Sequence, residues 1–183
     1  TRSGEFKTEL FERYQRNEQA FLLSMMEMVV NGVSTRKGTK IVQELCGETV
    51  SKSFVSDVMK RLDPEIEAFK NRTLTHSHFR YLYLDALYIK VREEGRVVSK
   101  AVYLAQGVNE ANKREIIGFW VSEEESKEAW LTFLQSLRAR GLSQPTLIIS
   151  DAHSGLRAAI QHCFVGVPLQ RCVFHFLSNV VEP

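Results

Sequence analysis

Apolar pairs recur every four residues at Phe21-Leu22, Met25-Met26 and Val29-Val30, a spacing that predicts a helix with one hydrophobic face. Gly32 ends it. Ser34 is placed to cap a second helix, which turns Ile41, Val42 and Leu45 inward and stops at Gly47. Ser51 caps a third, with Phe54, Val55, Val58, Met59 and Leu62 as its apolar set. Pro64 then opens a short fourth helix ending near Arg72. The second and third helices, joined by a short Gly-containing break, have the helix-turn-helix pattern.

The texture changes after Thr75. Tyr81 to Val91 is almost unbroken apolar sequence, rich in aromatic and branched residues and interrupted by Asp85, which predicts a strand. Arg92 to Arg96 makes a plausible hairpin loop, and Val97 to Val108 and Glu115 to Val121 follow as two further strands, with a turn over Asn109 to Arg114. Ser122 with Glu125 has the form of a capping box. It precedes a helix with Trp130, Phe133, Leu134 and Leu137 on one face and Gly141 at its end. Thr146 to Ser150 is a short strand stopping at Asp151. Ser154 to Cys163 is helical, Val167 to Gln170 a candidate strand, and Cys172 to Val180 a last helix.

Short links make the first three strands antiparallel, and the helical crossover makes the fourth parallel to a strand already in the sheet. The expected class is α/β (α+β overall). A helical helix-turn-helix region over 1–75 is followed over 76–183 by an incomplete ribonuclease-H-like mixed sheet, three antiparallel strands and then parallel strands with helices.

Composition narrows this picture only a little. The chain has 183 residues, 44% hydrophobic and 25% charged, enough apolar material for one or two small cores. It has no uncharged apolar run of the roughly 20 residues a membrane helix needs. The first residues, TRSGEF, have no apolar signal core. Three cysteines, Cys46, Cys163 and Cys172, are an odd and sparse set that favours a reducing compartment over a disulfide framework. A cytoplasmic protein is expected, without a membrane partner. The missing initiator Met and the stop just after a helical stretch suggest a chain cut at both ends.

A net charge of +2 says little about partners, so any case for nucleic acid rests on local patches. From Arg36 to Arg61 there are six basic residues against three acidic ones. Arg36, Lys37, Lys52, Ser53, Ser56, Lys60 and Arg61 lie on outward positions, the mixture of basic and small polar groups that recognition helices present to DNA. A solvated helical bundle explains the same charges.

Two acids are candidates for chemistry. An Asp inside an apolar strand is expected to be buried, and an ionised carboxylate there must be paired, hydrogen-bonded, protonated or metal-bound. Backbone amides or a basic neighbour would satisfy Asp85 equally well. Asp151 stands just beyond a parallel strand, at the end where open sheets place functional groups, although Asp before a helix is also a routine cap. In this topology the two strands are neighbours. Paired carboxylates offer the hard oxygen donors that suit Mg²⁺ or Mn²⁺. Cys172 and His175, three apart, are half of a zinc site or a buried thiol with a bonded imidazole. His153 either touches phosphate or lines its loop.

Several stretches, in this order, resemble the Mutator-type transposases of bacterial and archaeal insertion sequences. They are Gly32 to Arg36, Val50 to Ser56, Tyr83 to Val91, Val108-Asn109, Glu115 to Trp120, Ser150-Asp151 and Gln170 to His175. The resemblance implies a DDE transposase using two Mg²⁺ (or Mn²⁺) ions, with Asp85 and Asp151 as the first two catalytic, metal-binding acids. Cys172 and His175 match the family's C-x-x-H signature, whose role is open, and the upstream helices match the region holding double-stranded transposon ends. It further implies terminal inverted repeats and target DNA as partners, a homo-oligomer in the complete enzyme, and a place at the nucleoid. The family's third acid, a Glu, lies well downstream, whereas Glu182 is the only acidic residue here after Asp151. The expectation is therefore a truncated, inactive portion of such an enzyme. A DNA-binding remnant that occupies transposon ends without catalysis is the alternative.

Overall fold

The protein is described by a computed structural model that covers residues 22–24, 26–28, 30–46 and 52–181, with some side chains in the helical part outside the description. The chain divides into two compact units between Glu67 and Ala68. No helix among the described residues is long and apolar enough to cross a membrane.

In the first unit, the helical backbone at 22–24, 26–28 and 30 ends as the sequence predicts. Gly32 adopts φ +84°, and the Val33 amide reaches back to the Met28 carbonyl at 2.9 Å. This left-handed closure is available to glycine because it has no Cβ. Ser34 follows as the cap of α1 (Thr35–Cys46), its hydroxyl accepting from the Lys37 amide at 3.4 Å. The second helix, α2 (Lys52–Met59), runs through a 3₁₀ turn (Lys60–Leu62) into α3 (Asp63–Asn71). Pro64 occupies the second position of α3, still within the first turn, where its missing N–H costs no helical bond. Ser51 and Gly47 lie outside the described residues. Val58 and Leu22 are buried in this unit.

The second unit is built on a sheet of β1 (Phe79–Glu93), β2 (Arg96–Asn109), β3 (Arg114–Ser122), β4 (Leu147–Ser150) and β5 (Leu169–Arg171). Its spatial order is β3-β2-β1-β4-β5. The first three strands pair antiparallel, while β4 is parallel to both β1 and β5, the mixed pattern consistent with part of a ribonuclease-H-like fold. The β1–β2 loop is tighter than predicted. Glu94 and Gly95 alone make the turn, both at positive φ (48° and 79°), as a two-residue hairpin matched to strand twist requires. Three helices complete the unit: α4 (Lys127–Ala139), α5 (Ser154–Cys163) and α6 (Val173–Val181).

One core lies on one face of the sheet. Leu82, Leu84, Tyr103, Ala105 and Ile117 meet Trp130, Phe133, Leu134 and Leu137 of α4 and Leu156 and Ile160 of α5. The Tyr103 and Trp130 rings meet edge to face at 4.5 Å, and both polar tips are satisfied. The Tyr103 hydroxyl donates to the Glu124 carbonyl at 2.9 Å, and the Trp130 indole N–H donates to Glu125 at 2.9 Å. This network corrects the predicted capping box. The α4 cap is Ser126, whose hydroxyl accepts from the Ala129 amide, because Glu125 is taken by Trp130 and Ser122 donates to the Glu124 carbonyl.

The segment before the sheet is fastened to β3 and the end of α4. Leu74 is fully buried in the core. Arg72 binds Glu115 and the Ile116 carbonyl, both at 2.6 Å, and the Arg140 guanidinium donates to the Arg72 carbonyl at 2.8 Å. Burial alone would raise the Glu115 carboxyl, but hydrogen bonds from Arg72 and His76 outweigh it and hold the pKa below the usual carboxylate value.

Two tests follow from this packing. A Cβ at Gly107 would press into the ring of Phe79, itself fully buried, whereas a Cβ at Gly38 within α1 meets nothing within 4 Å. Gly107→Ala is expected to lower unfolding stability by about 1–3 kcal/mol, and Gly38→Ala to leave it equal or raise it by up to about 1 kcal/mol. Urea unfolding followed by circular dichroism separates them. The second test concerns pH. A depressed folded pKa stabilises above the unfolded carboxylate value, near 4.5, and the gain is lost as pH falls through the folded value. The midpoint gap between wild type and Glu115→Gln should therefore hold steady from about pH 7 to 5 and narrow below about pH 4. A gap that keeps its size at low pH contradicts the assignment.

Candidate active site and nucleic-acid interface

The parallel ladder between β1 and β4 sets the position of both candidate acids. It runs Tyr81↔Leu147, Leu82↔Ile148, Tyr83↔Ile149 and Leu84↔Ser150. Asp85 and Asp151 stand at the next step, one residue beyond the last recorded pair. Alternation along β1 puts Asp85 on the face of Tyr83, away from the core of α4 and α5, whereas Asp151 follows the end of β4 and lines a cleft with Ile160 and Gln161 of α5 and with Phe164.

Asp85 is not the buried charge that the apolar run predicts. Its side chain is 52% exposed. The strand is apolar on both sides, yet α4 and α5 share a single core on one of them, so Tyr83, Leu87 and Asp85 on the other reach solvent. Such a carboxylate needs no burial penalty repaid and is open to a ligand. One oxygen accepts from the Ala86 amide at 3.0 Å.

Asp85 shares a cavity of about 260 Å³ with Tyr83, Gln106, Ile149, Cys172 and His175. The C-x-x-H pair is thus brought to the first acid. Cys172 follows β5 and extends its pairing, its amide bonding the Ser150 carbonyl at 2.6 Å. His175, in the first turn of α6, sets Nε2 3.8 Å from the Asp85 carboxylate, while its Nδ1 is buried without a hydrogen-bond partner. Among the described residues no group of three or more His, Cys, Asp or Glu is placed to hold a metal ion, so Cys172 and His175 gain no further ligands of the kind a zinc site needs.

Asp151 opens onto a different cleft, of about 510 Å³, lined by Arg157, Gln161, Phe164, Leu169 and Arg171 among others. One of its oxygens accepts from the His153 amide at 3.1 Å, which shapes the loop entering α5. The α5 cap is His153 itself. Its Nδ1 lies 3.4 Å from the Leu156 amide and 3.2 Å from Glu125, so it serves one or the other according to tautomer. His153 is therefore tied to its own loop and to the start of α4.

The family model described as "Transposase, Mutator family" matches residues 1–183. The chain belongs to the Mutator family of transposases. It is 53% identical over 180 residues to the transposase for insertion sequence element IS256 in transposon Tn4001 of Staphylococcus aureus, covering 98% of this chain and 46% of that one. With the transposase for ISRM5 of Rhizobium meliloti it shares 48% over 181 residues, 99% of this chain and 45% of the other. With the transposase for IS406 of Burkholderia multivorans it shares 43% over 180 residues, 97% and 46% respectively. The chain thus spans about half the length of the Mutator relatives it matches.

On the helical unit of this Mutator-family chain, Lys37, Ser56, Lys60 and Arg61 are exposed, while the side chains of Arg36, Lys52 and Ser53 lie outside the described residues. Lys60 is paired with Asp57 of its own helix at 2.9 Å, and that hydrogen bond raises its pKa. Such an exposed pair is weak, so a phosphate can displace Asp57. Arg157 and Arg171, which the sequence pattern does not single out, line the cleft beside Asp151.

Proposed function

We propose that the protein acts on DNA as part of a DDE-type transposase, with Asp85 and Asp151 organising phosphodiester cleavage and strand transfer. The observation that supports this reading is the β1–β4 register, in which Asp85 and Asp151 each follow the last pair of the parallel ladder, Leu84↔Ser150. The donor set fits Mg²⁺ or Mn²⁺, which bind through one or two carboxylates and complete their shells with water and phosphate oxygens. Bound there, divalent ions supply activation of the attacking water or 3′-hydroxyl and charge stabilisation for the departing 3′ oxygen.

This chain's own groups do the positioning. Asp85 is held on a regular strand, and the oxygen that accepts from the Ala86 amide is also the one 3.8 Å from His175, which leaves its other oxygen without a protein partner among the described residues. Asp151 is fixed at the strand end by its bond to the His153 amide, which points its free oxygen away from its own loop bond. The exposed cations of the helical unit, Lys37, Lys60 and Arg61 with Ser56, meet the phosphates and groove of double-stranded transposon ends. In this reading Asp85 and Asp151 are two of the three carboxylates that such an enzyme uses.

Mn²⁺ binding, followed by the loss of the free-ion electron paramagnetic resonance signal, tests the acids. Weak saturable binding is expected in the wild type and at least about a tenfold loss in Asp85→Asn and in Asp151→Asn, as for lost metal-site partners generally. Binding unaffected by either change overturns the site, as does Mg²⁺-dependent nicking that survives both. The helical unit is tested by a mobility shift on transposon-end DNA. Lys37→Ala and Lys60→Ala should each weaken binding and flatten its dependence on salt. Affinity unmoved by both assigns DNA contact elsewhere.

A further inference from the structure

The cleft beside Asp151 contains two cations that the sequence reading gave no task. Arg157 projects from the first turn of α5 and Arg171 ends β5, and both are exposed. Among the described residues neither guanidinium takes part in an ion pair or a side-chain hydrogen bond. Arg171 instead lies over the Phe176 ring at 5.2 Å, a contact that fixes its direction while leaving its N–H groups free. The floor between them is apolar, formed by Ile160, Phe164 and Leu169, with Gln161 as a neutral polar group at the side. Among the described residues β5 is an edge strand of the sheet, and no further strand closes the cleft.

From this arrangement we infer that the cleft between α5 and β5 is a seat for the DNA sugar–phosphate backbone, with Arg157 and Arg171 as its phosphate anchors. The inference rests on the DNA-acting function proposed above and adds a binding surface on the sheet unit, separate from the helical unit. Two free guanidiniums offer planar forks that match phosphate oxygens. Asp151 argues against a site built for a lone anion, since its charge repels one. It suits a strand whose phosphates sit on the arginines as it passes the carboxylate. Contacts of this kind position the strand and carry no sequence preference.

The test is fluorescence anisotropy of the 183-residue chain with a labelled duplex of arbitrary sequence, over a range of KCl concentrations without divalent ions. Arg157→Gln and Arg171→Gln are each expected to weaken binding about threefold to tenfold at low salt and to lower the slope of log K against log salt by about one. Arg171→Lys should recover part of the affinity. Lys113→Gln, which removes the same charge from the β2–β3 turn, should leave both quantities in place. Circular dichroism confirms that each variant is folded. If the wild type binds the duplex and both arginine variants keep its slope, the inference fails and the proposed function stands. An equal loss in Lys113→Gln also overturns it, because net charge alone would then be responsible. A wild type that binds no duplex removes the functional reading and this one together. Tighter binding of polyglutamate than of duplex, lost in both arginine variants, makes the cleft a peptide site and refutes the backbone assignment.

Discussion

Four residue pairs between β1 and β4 carry the architecture of the site. β4 is short and has no other way to reach the sheet centre. Its register alone decides whether Asp151 arrives level with Asp85 or one residue out of step. Because side chains alternate, a slip by one residue would bring Ser150, now buried, to the open face and change the level at which Asp151 leaves the strand. The apolar pattern resists such a slip. Ile148 is completely buried in the core with Leu82, Leu156 and Ile160, and moving it outward would expose that side chain. Hydrophobic burial in the middle of β4 therefore governs where the charge at its end is placed.

The one-sided core has a chemical consequence. If helices covered both faces of β1, Asp85 would be desolvated and would need a permanent internal partner, leaving nothing free for a ligand. With the core confined to one face, the carboxylate sits in a half-exposed setting. Its nearby groups are one backbone amide and His175 at 3.8 Å. The long β1–β2 hairpin contributes to this openness. Among the described residues, those of β1 beyond Leu84 pair with β2 alone, since the β4 pairing stops there, so the outer ribbon leaves Leu87, Tyr88 and Ile89 exposed.

Much of this was legible in the sequence because the signals are local. Gly32 and Ser34 predict the helix end and the next cap from backbone chemistry alone, and the hydrophobic faces of α4 and α5 follow from helical spacing. The order of strands and helices gave the mixed sheet. Burial of Asp85 was misjudged for a physical reason: an apolar run shows that a strand can be covered twice, but not whether the chain supplies a second layer. Ser126 was passed over as the cap of α4 because the pull of Trp130 on Glu125 is a tertiary contact. The company kept by Cys172 and His175 was equally hidden, since spacing within the motif says nothing of a residue some ninety positions upstream.

The two acids follow the same last ladder pair, Leu84↔Ser150, but face different environments. Asp85 looks into a cavity walled by Tyr83, Ile149, Cys172 and an imidazole, whereas Asp151 looks into a larger cleft flanked by guanidiniums. Whatever crosses from one to the other must pass the end of β4, where the Cys172 amide closes onto the Ser150 carbonyl and holds the start of α6 against the sheet. That single backbone bond ties the histidine of one cavity to the strand end that carries the acid of the other. A change in α6 that loosened Cys172 would therefore disturb both carboxylates at once, even though the helix touches only the first.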